Sequence, residues 1–319
     1  MLSVVVDVKT GDVVALVSYP GYDNNRLTND MDTDYYAKLA LDQSSPFFNK
    51  ATQQTTAPGS TLKLLSTIAG MEEGIIDEGT YIECTGTFDY VDPPINCWYK
   101  NGHGSLDIRT AIEQSCNYFF NMIGFQLGKV GDNEFSEVQS LNKLQEYASL
   151  IGLDRKTGIE LSEATPKVSD ATVMATSGNV FKLTLLDKVM DPKGEVIQEY
   201  EPEIEDVVNI SSNIWDVIHD GMRRVIQTHS QFDGLGVEVA GKTGTAELDL
   251  RHPNHGLFIG YAPASDPEYA VAIRIANGYS SGNACLIAND IFKYMYNLAD
   301  KDSILTGFAS TDTSDTSND

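Results

Sequence analysis

The two ends of the chain alternate between apolar and polar residues, whereas helical spacing dominates between them. Residues 2–19 alternate on either side of Lys9-Thr10-Gly11, a pattern typical of a β-hairpin. Near the other end, three more strands are predicted over 237–246, 256–263 and 269–276. Because strands from both ends need partners, we expect them to form one antiparallel sheet.

Apolar residues in the middle of the chain recur three and four positions apart, which predicts helices. The first begins at Ser60 and ends at Gly74. Further helices are predicted over 106–112, 118–127, 134–150, 213–226 and 289–298. Residues 20–57 are polar with little periodicity, and residues 80–104 have no sustained period and are interpreted as a long ordered loop. A second hairpin-like unit is predicted from the segments 180–186 and 196–197, on either side of Asp191-Pro192-Lys193-Gly194.

These elements predict an α+β fold. An antiparallel five-stranded sheet from the two chain ends is flanked by helices, and an all-helical subdomain is inserted over about 60–160. One domain is expected to occupy residues 1–300. Residues 301–319 are an acidic tail rich in Ser, Thr and Asp, a composition that favours disorder.

Composition narrows the function classes. The net charge of −24 argues against nucleic-acid binding, which needs a basic surface to displace counterions. The sequence has no run of about 18 apolar residues, and it starts without a basic region followed by a signal-like apolar core, so we expect it to begin inside a domain. Four cysteines are too few for a disulfide-built fold; Cys84 and Cys97 either bridge across one loop or remain thiols.

A serine and a lysine lie one helical turn apart where the first helix begins. Residues three apart on a helix are neighbours, so the amine of Lys63 would lie close enough to Ser60 to take its hydroxyl proton. The alternative is that Ser60 is an N-cap and Lys63 a solvated helix residue. The spacing alone is weak, because the pair Ser140 and Lys143 repeats it inside a helix.

Order and setting distinguish the first pair from its repeat. Ser60-x-x-Lys63 is followed by Ser115-x-Asn117 at a junction between helices and by Lys242-Thr243-Gly244-Thr245 in a strand. This ordered set resembles the penicillin-recognising acyl-serine enzymes, which are the penicillin-binding proteins and serine β-lactamases. The blocks Gly102-His103-Gly104 and Gly260-Tyr261-Ala262-Pro263 resemble those of class B penicillin-binding proteins, the D,D-transpeptidases that cross-link peptidoglycan. The resemblance covers residues 1 to about 300.

The resemblance implies catalytic roles for five residues. Ser60 would be the nucleophile that attacks the penultimate D-alanine of a stem peptide, and Lys63 would be its base. A lysine removes a proton only while neutral, which burial or a cationic neighbour such as Lys242 favours. Ser115 would relay a proton to the leaving amine, and Asn117 would hold Lys63 and the substrate amide. The alternative for Ser115 and Asn117 is that they cap the next helix.

Substrate binding is implied for the strand motif. The motif consists of Lys242, Thr243, Gly244 and Thr245. Its lysine and two threonines would bind the terminal carboxylate of the substrate or of a β-lactam. The backbone amides of Ser60 and Thr245 would form the oxyanion hole. Taken alone, the two threonines are ordinary strand residues.

No cofactor is implied, and the five histidines, including His103, have no ligand spacing that predicts a metal. Cys116 has no implied role and is expected to pack in the core. The implied partners are peptidoglycan stem peptides, β-lactams and cell-wall enzymes such as a glycosyltransferase. The resemblance places the domain on the extracytoplasmic face of a bacterial membrane, through an N-terminal anchor outside this sequence.

Two other functions remain open. One is a β-lactamase or D,D-carboxypeptidase, although the sequence shows no clear deacylating carboxylate motif. The other is a penicillin-sensing domain that is acylated without turnover. One segment also departs from the family pattern. After residues 158–162 a turn and a helix are expected, but residues 169–172 run directly into residues 173–179, as though roughly two dozen residues of that element were absent.

Overall fold

The computed structural model describes residues 1–131, 134–164, 170–247 and 252–304. Thirteen strands are present in these ranges. The strands are β1 (Leu2–Asp7), β2 (Val13–Ser18), β3 (Ile82–Cys84), β4 (Thr87–Phe88), β5 (Ile95–Asn96), β6 (Gly104–Leu106), β7 (Asn179–Phe181), β8 (Lys188–Met190), β9 (Val196–Glu199), β10 (Ile204–Val207), β11 (Ala240–Ala246), β12 (His255–Ala262) and β13 (Tyr269–Ile275).

Ten α-helices lie in the same ranges. They are α1 (Thr33–Ala40), α2 (Lys50–Gln53), α3 (Lys63–Glu72), α4 (Ile108–Glu113), α5 (Asn117–Leu127), α6 (Glu137–Leu150), α7 (Asp170–Ala175), α8 (Ser212–Gln227), α9 (Ser281–Met295) and α10 (Lys301–Ile304). None of these helices combines the length and the apolar character needed to span a membrane.

The predicted antiparallel sheet from both chain ends is confirmed. Its strand order is β11-β12-β13-β1-β2, so the N-terminal hairpin pairs with the C-terminal strands through β1 and β13. Side chains alternate between its two faces. Val5, Phe258 and Val271 pack beneath α9, while Ile259 and Ala270 belong to the core shared with the helices.

The helical block fills the centre of the chain, as its apolar spacing predicts. Helices α3, α4, α5 and α8 share a core in which Ile68, Ile112, Phe119, Ile123 and Val217 are fully buried. The block also carries two small hairpin-like units, β3–β6 and β4–β5, within residues predicted to be loop. The subdomain is therefore mainly rather than entirely helical.

Three local predictions differ from the structure. Helices α1 and α2 lie in the polar segment 20–57, and α9 begins eight residues before its predicted start at 289. The predicted hairpin around residues 191–194 exists as β8–β9, but its first predicted strand is wrong, because β7 pairs with β10 instead. The reason is burial: two β7 residues are buried, whereas every residue of β8 and β9 is exposed. Residues 165–169 and 305–319, on which the family departure and most of the predicted tail fall, lie outside the described ranges.

Candidate active site

Ser60 lies in a short 3-10 turn, Gly59–Leu62, that leads directly into α3. The N-cap positions of the turn and of α3 are Pro58 and Leu62, and neither makes a side-chain capping hydrogen bond. The alternative role of Ser60 as an N-cap is therefore not observed. Instead, the turn presents Ser60 one helical turn before Lys63, as the spacing predicts.

The Lys63 amine is buried and connects the first motif to the second. Its Nζ donates to the Ser115 carbonyl oxygen at 2.6 Å, to Ser115 Oγ at 2.9 Å and to Asn117 Oδ1 at 2.7 Å. Three acceptors match the three protons of an ammonium group. This geometry holds the Lys63 amine in one position beside the turn that carries Ser60.

The third motif, Lys242-Thr243-Gly244-Thr245, contacts the same Ser115 hydroxyl group through Lys242. Lys242 is fully buried, and its Nζ donates to Ser115 Oγ at 3.1 Å and to the Thr243 carbonyl oxygen at 3.1 Å. Ser115 Oγ thus accepts hydrogen bonds from both Lys63 and Lys242. A hydroxyl group has two lone pairs and one proton, so its own proton remains available to donate elsewhere.

The backbone at Ser115 explains how its side chain reaches both lysines. Its φ of +49° is in the left-handed region, which non-glycine residues rarely adopt and which is common at functional sites. The capping position of α5 belongs to the next residue, Cys116, whose Sγ accepts from Phe119 N at 3.5 Å. Cys116, and not Ser115 or Asn117, therefore caps α5.

Strand β11 lies against the nucleophile turn with almost no space between them. A Cβ added to Gly59, whose φ is +57°, would lie 2.7 Å from the Thr245 carbonyl oxygen. A Cβ added to Gly244 would lie 3.2 Å from the Pro58 carbonyl oxygen and 3.4 Å from Ser60 N. Glycines at both positions allow the two backbones to approach closely.

Replacing Gly244 with alanine is expected to slow acylation of the protein by a β-lactam roughly tenfold. The new methyl group would force β11 away from the turn, at an overpacking cost of about 1–3 kcal/mol. Intact-mass kinetics and the melting temperature measure the effect. Gly131→Ala is the matched control, because a Cβ there meets nothing within 4 Å. Unchanged kinetics in G244A would show that the close approach is unimportant.

The structure does not bring the Thr243 hydroxyl to the surface. Thr243 pairs with Phe258 in register, on the face of the sheet beneath α9, and is only 1% exposed. Its Oγ1 has no hydrogen-bond partner. Thr245 is partly exposed, so of the two threonines it is better placed to meet a ligand.

Four side chains that the sequence reading left without a function converge beside Ser115. The sulfurs of Cys84 and Cys97 each lie 3.5 Å from His103 Nδ1, and the sulfurs of Cys97 and Cys116 are 3.9 Å apart. All four ligand atoms lie within 4.8 Å of one another, and none of the four cysteines, which all lie in the described ranges, forms a disulfide, so the bridge between Cys84 and Cys97 is not formed.

Local folding creates this cluster. Strands β3 and β6 pair with Cys84 opposite Gly104, which brings the neighbouring His103 to Cys84. Cys97 follows the β4–β5 unit and donates its backbone N–H to the Gly86 carbonyl oxygen at 2.9 Å. In the sequence, the cluster is visible only as three cysteines and one histidine within residues 84–116. Because these residues are separated along the chain, their proximity could not be predicted from it.

The cluster fits a tetrahedral zinc ion. Zinc–sulfur bonds of about 2.3 Å and zinc–nitrogen bonds of about 2.0 Å place ligand atoms roughly 3.5–3.8 Å apart in a tetrahedron. The contacts of 3.5 Å and 3.9 Å are close to this range, and the other separations are at most 4.8 Å, so the ligand atoms would draw closer together around an ion. The hydrogen bond with Cys116 lowers the pKa of Cys97, which favours the thiolate form that binds metals. Such an ion would be structural, because the protein supplies four ligands and leaves no open position.

Comparison with known proteins gives a consistent result. Residues 1–296 match the penicillin binding protein transpeptidase domain family. The peptidoglycan D,D-transpeptidase MrdA of Acinetobacter baumannii is 26% identical over 354 residues, which cover 91% of this chain and 50% of that protein. The chain therefore spans about half the length of this curated relative.

Solved structures share the fold. Penicillin-binding protein A from M. tuberculosis, in a ceftriaxone acyl-enzyme complex, superposes with a TM-score of 0.78 at 22% identity, covering 92% of this chain and 73% of that one. A chain of a peptidoglycan synthase complex gives a TM-score of 0.79 at 24% identity, covering 94% of this chain and 56% of that one. Because the family match spans the sheet strands from both ends and the helical block between them, the chain belongs to the penicillin-binding protein transpeptidase domain family.

Proposed function

We propose that this domain is a serine D,D-transpeptidase that forms an acyl-enzyme on Ser60 and passes the acyl group to an amine. Its substrate would be a peptidoglycan stem peptide ending in D-alanyl-D-alanine, and β-lactams would acylate the same serine. The observation that carries the proposal is the convergence of Lys63 and Lys242 on Ser115 Oγ beside the turn that holds Ser60. D,D-transpeptidase is also the activity named for the A. baumannii relative.

The first step is proton transfer from Ser60. Neutral Lys63 takes the hydroxyl proton as Oγ attacks the carbonyl carbon of the penultimate D-alanine. Burial of Lys63 and the second ammonium at Ser115 Oγ both favour a neutral amine. The backbone N–H groups of Ser60 and Thr245 are proposed to stabilise the oxyanion, which the close approach of β11 to the turn supports.

The second step breaks the peptide bond. The leaving nitrogen needs a proton as the carbon–nitrogen bond breaks and D-alanine departs. Ser115 is suited to deliver it, because both of its lone pairs accept from lysines and its own proton can point towards the substrate. Lys63 then returns the proton it took to Ser115 Oγ, so the charge balances.

The third step regenerates the serine. An acceptor amine attacks the acyl carbonyl carbon, loses its proton along the same path in reverse, and displaces Ser60 Oγ, which is reprotonated. The positive charge of Lys242 and the hydroxyl of Thr245 would hold the terminal carboxylate of the donor peptide. Thr243 would support this position from within the strand rather than by direct contact, because it is buried.

Time-resolved intact-mass measurement with benzylpenicillin tests the acylation step. We expect one penicilloyl adduct per chain that persists for many minutes, and no adduct on Ser60→Ala. Ser140→Ala is the matched control, since Ser140 has the same Ser-x-x-Lys spacing but lies in α6 with its hydroxyl bonded to Gly124 O at 2.7 Å. An adduct on S60A would overturn the assignment, and rapid loss of the adduct would favour a β-lactamase or carboxypeptidase.

A second measurement separates a transpeptidase from a penicillin sensor. The protein is incubated with a pentapeptide donor and a D-amino acid acceptor, and the products are resolved by mass. We expect exchange of the terminal D-alanine for the acceptor. Adduct formation with penicillin but no exchange would indicate a sensor, and release of D-alanine without exchange would indicate a carboxypeptidase.

The cellular location and the partner of the domain are proposed from its function. The substrate lies outside the cytoplasm, so the domain is proposed to act at the extracytoplasmic face of a bacterial membrane, with glycan strands supplied by a glycosyltransferase partner. One structural neighbour comes from work on the coordination of polymerization and crosslinking by a peptidoglycan synthase complex, which supports that kind of partner.

A further inference from the structure

A cavity of about 360 Å³ lies behind the nucleophile turn, on the face of the sheet that points towards the helical block. Its floor is apolar and is formed by the strands β1, β12 and β13, with Val4, Leu257 and Ala272 among the residues that line it. Residues 51–58 form part of its wall. The volume falls within the range of small-molecule sites, roughly 300–1,000 Å³.

A buried arginine lines this apolar space. Arg274 pairs in register with Leu2 on one side and Leu257 on the other, and all three line the cavity. It is only 6% exposed, and its Nε has no hydrogen-bond partner among the residues that the structure describes. Burial lowers the pKa of Arg274, yet a guanidinium group remains charged in proteins. A buried charge without a counter-ion is costly, so Arg274 is suited to hold an anion.

Among the residues that the structure describes, no carboxylate forms an ion pair with Arg274. Glu163 also lines the cavity, but its two oxygens accept from the Thr157 backbone N–H and hydroxyl at 3.0 and 2.9 Å and not from Arg274. His255 accepts from Asn277 N at 3.0 Å, and its Nε2 has no partner. Burial and the positive Arg274 lower the pKa of His255, so it is neutral at pH 7. Burial lowers the pKa of the N-terminal amine of Met1, and the positive charges of Lys50 and Arg274 lower it further.

We propose that this cavity binds a single-chain amphiphilic carboxylate, with its head group on Arg274 and its alkyl chain along the apolar floor. A carboxylate matches the planar fork of a guanidinium group and carries the single negative charge that one arginine balances. A doubly charged phosphate would leave one negative charge without a cation among the described residues that line the cavity, beside the Glu163 carboxylate. Thr56 Oγ1, which is buried without a partner among the described residues on the wall segment, offers a hydroxyl group that can donate a further hydrogen bond.

The cavity is separate from Ser60, but residues of its wall belong to the turn that carries Ser60. Pro58 and Thr61 line the cavity, and Thr61 Oγ1 donates to the Pro58 carbonyl oxygen at 2.8 Å. An alkyl chain in the cavity would therefore pack against the back of the turn that carries the nucleophile. Binding is expected to stabilise the folded protein, because the ligand binds only the folded state.

Isothermal calorimetry with dodecanoate, kept below its micelle concentration, tests the proposal. We expect one site per chain, a raised melting temperature, and binding at least tenfold weaker for dodecan-1-ol and dodecyltrimethylammonium, which share the chain but not the negative charge. Arg274→Gln is expected to weaken dodecanoate binding by about 10–100-fold, the value of one charged hydrogen bond of about 1.5–3 kcal/mol.

Two further variants control for folding and position. Arg155→Gln removes an arginine that pairs with Asp206 on the surface, and should bind dodecanoate like the wild type. Ala272→Phe fills the cavity while keeping Arg274, and should abolish binding. Protein acylated by benzylpenicillin should still bind. No binding by the wild type, equal binding by R274Q, or loss of binding on acylation would each overturn the proposal. The first two results do not depend on acylation of Ser60, so they separate a failure of this proposal from a failure of the proposed function.

Discussion

Replacing Lys63 with methionine is expected to slow acylation by benzylpenicillin by about 10³–10⁴-fold. The substitution removes an amine that donates to both Ser115 Oγ and Asn117 Oδ1, and with it the proposed base. General-base catalysis typically contributes about 10²–10⁴-fold, and the loss of Ser115 positioning adds to it. Intact-mass kinetics measure the rate constant, and a melting curve shows that the variant is folded.

Two variants make this result specific. Lys143→Met removes the lysine of the second Ser-x-x-Lys pair, which forms surface ion pairs with Glu73 and Glu146, and should change acylation by less than twofold. Lys63→Arg keeps the positive charge but cannot become a neutral base, so it should be nearly as slow as K63M. If K63R acylates within tenfold of the wild-type rate, Lys63 acts through its charge and the proposed base is wrong.

Removing zinc is expected to destabilise the protein and to slow acylation together. Structural zinc sites contribute several kcal/mol to folding, so we expect the chelated protein to melt about 10 °C lower. Acylation should slow because Cys116 lies between Ser115 and Asn117, and a bond from its thiolate to the ion would hold that segment in place. The protein purified without chelator should contain about one zinc ion per chain by elemental analysis.

The cysteines provide a matched pair for this test. Cys84→Ser should lower the zinc content and the melting temperature, whereas Cys285→Ser, a buried thiol in the separate core beneath α9, should retain its zinc. Restored stability after zinc is added back to the chelated wild type would link the two effects. A protein that never takes up zinc, or a C285S variant that loses as much metal as C84S, would contradict the site.

Local sequence patterns were sufficient for most elements. Alternation identified β1 and β2, and the helical spacing of Ile214, Val217 and Ile218 predicted α8 within one residue at each end. These patterns work because burial of one face imposes a period on each element separately. The helix α9 shows the limit: it begins with Ser281, Gly282 and Asn283, whose small polar side chains hide the apolar face that follows.

The sequence by itself determined the family, the order of the three motifs and the residues of the proposed active site, because these depend on residue identity along the chain. The tertiary structure alone decided which of them meet. It placed both lysines on Ser115, buried Thr243 beneath α9, assembled the four metal-ligating side chains and left Arg274 facing an apolar cavity. The physical reason is that contacts between residues distant in sequence depend on how elements pack, and no periodicity along the chain records that packing.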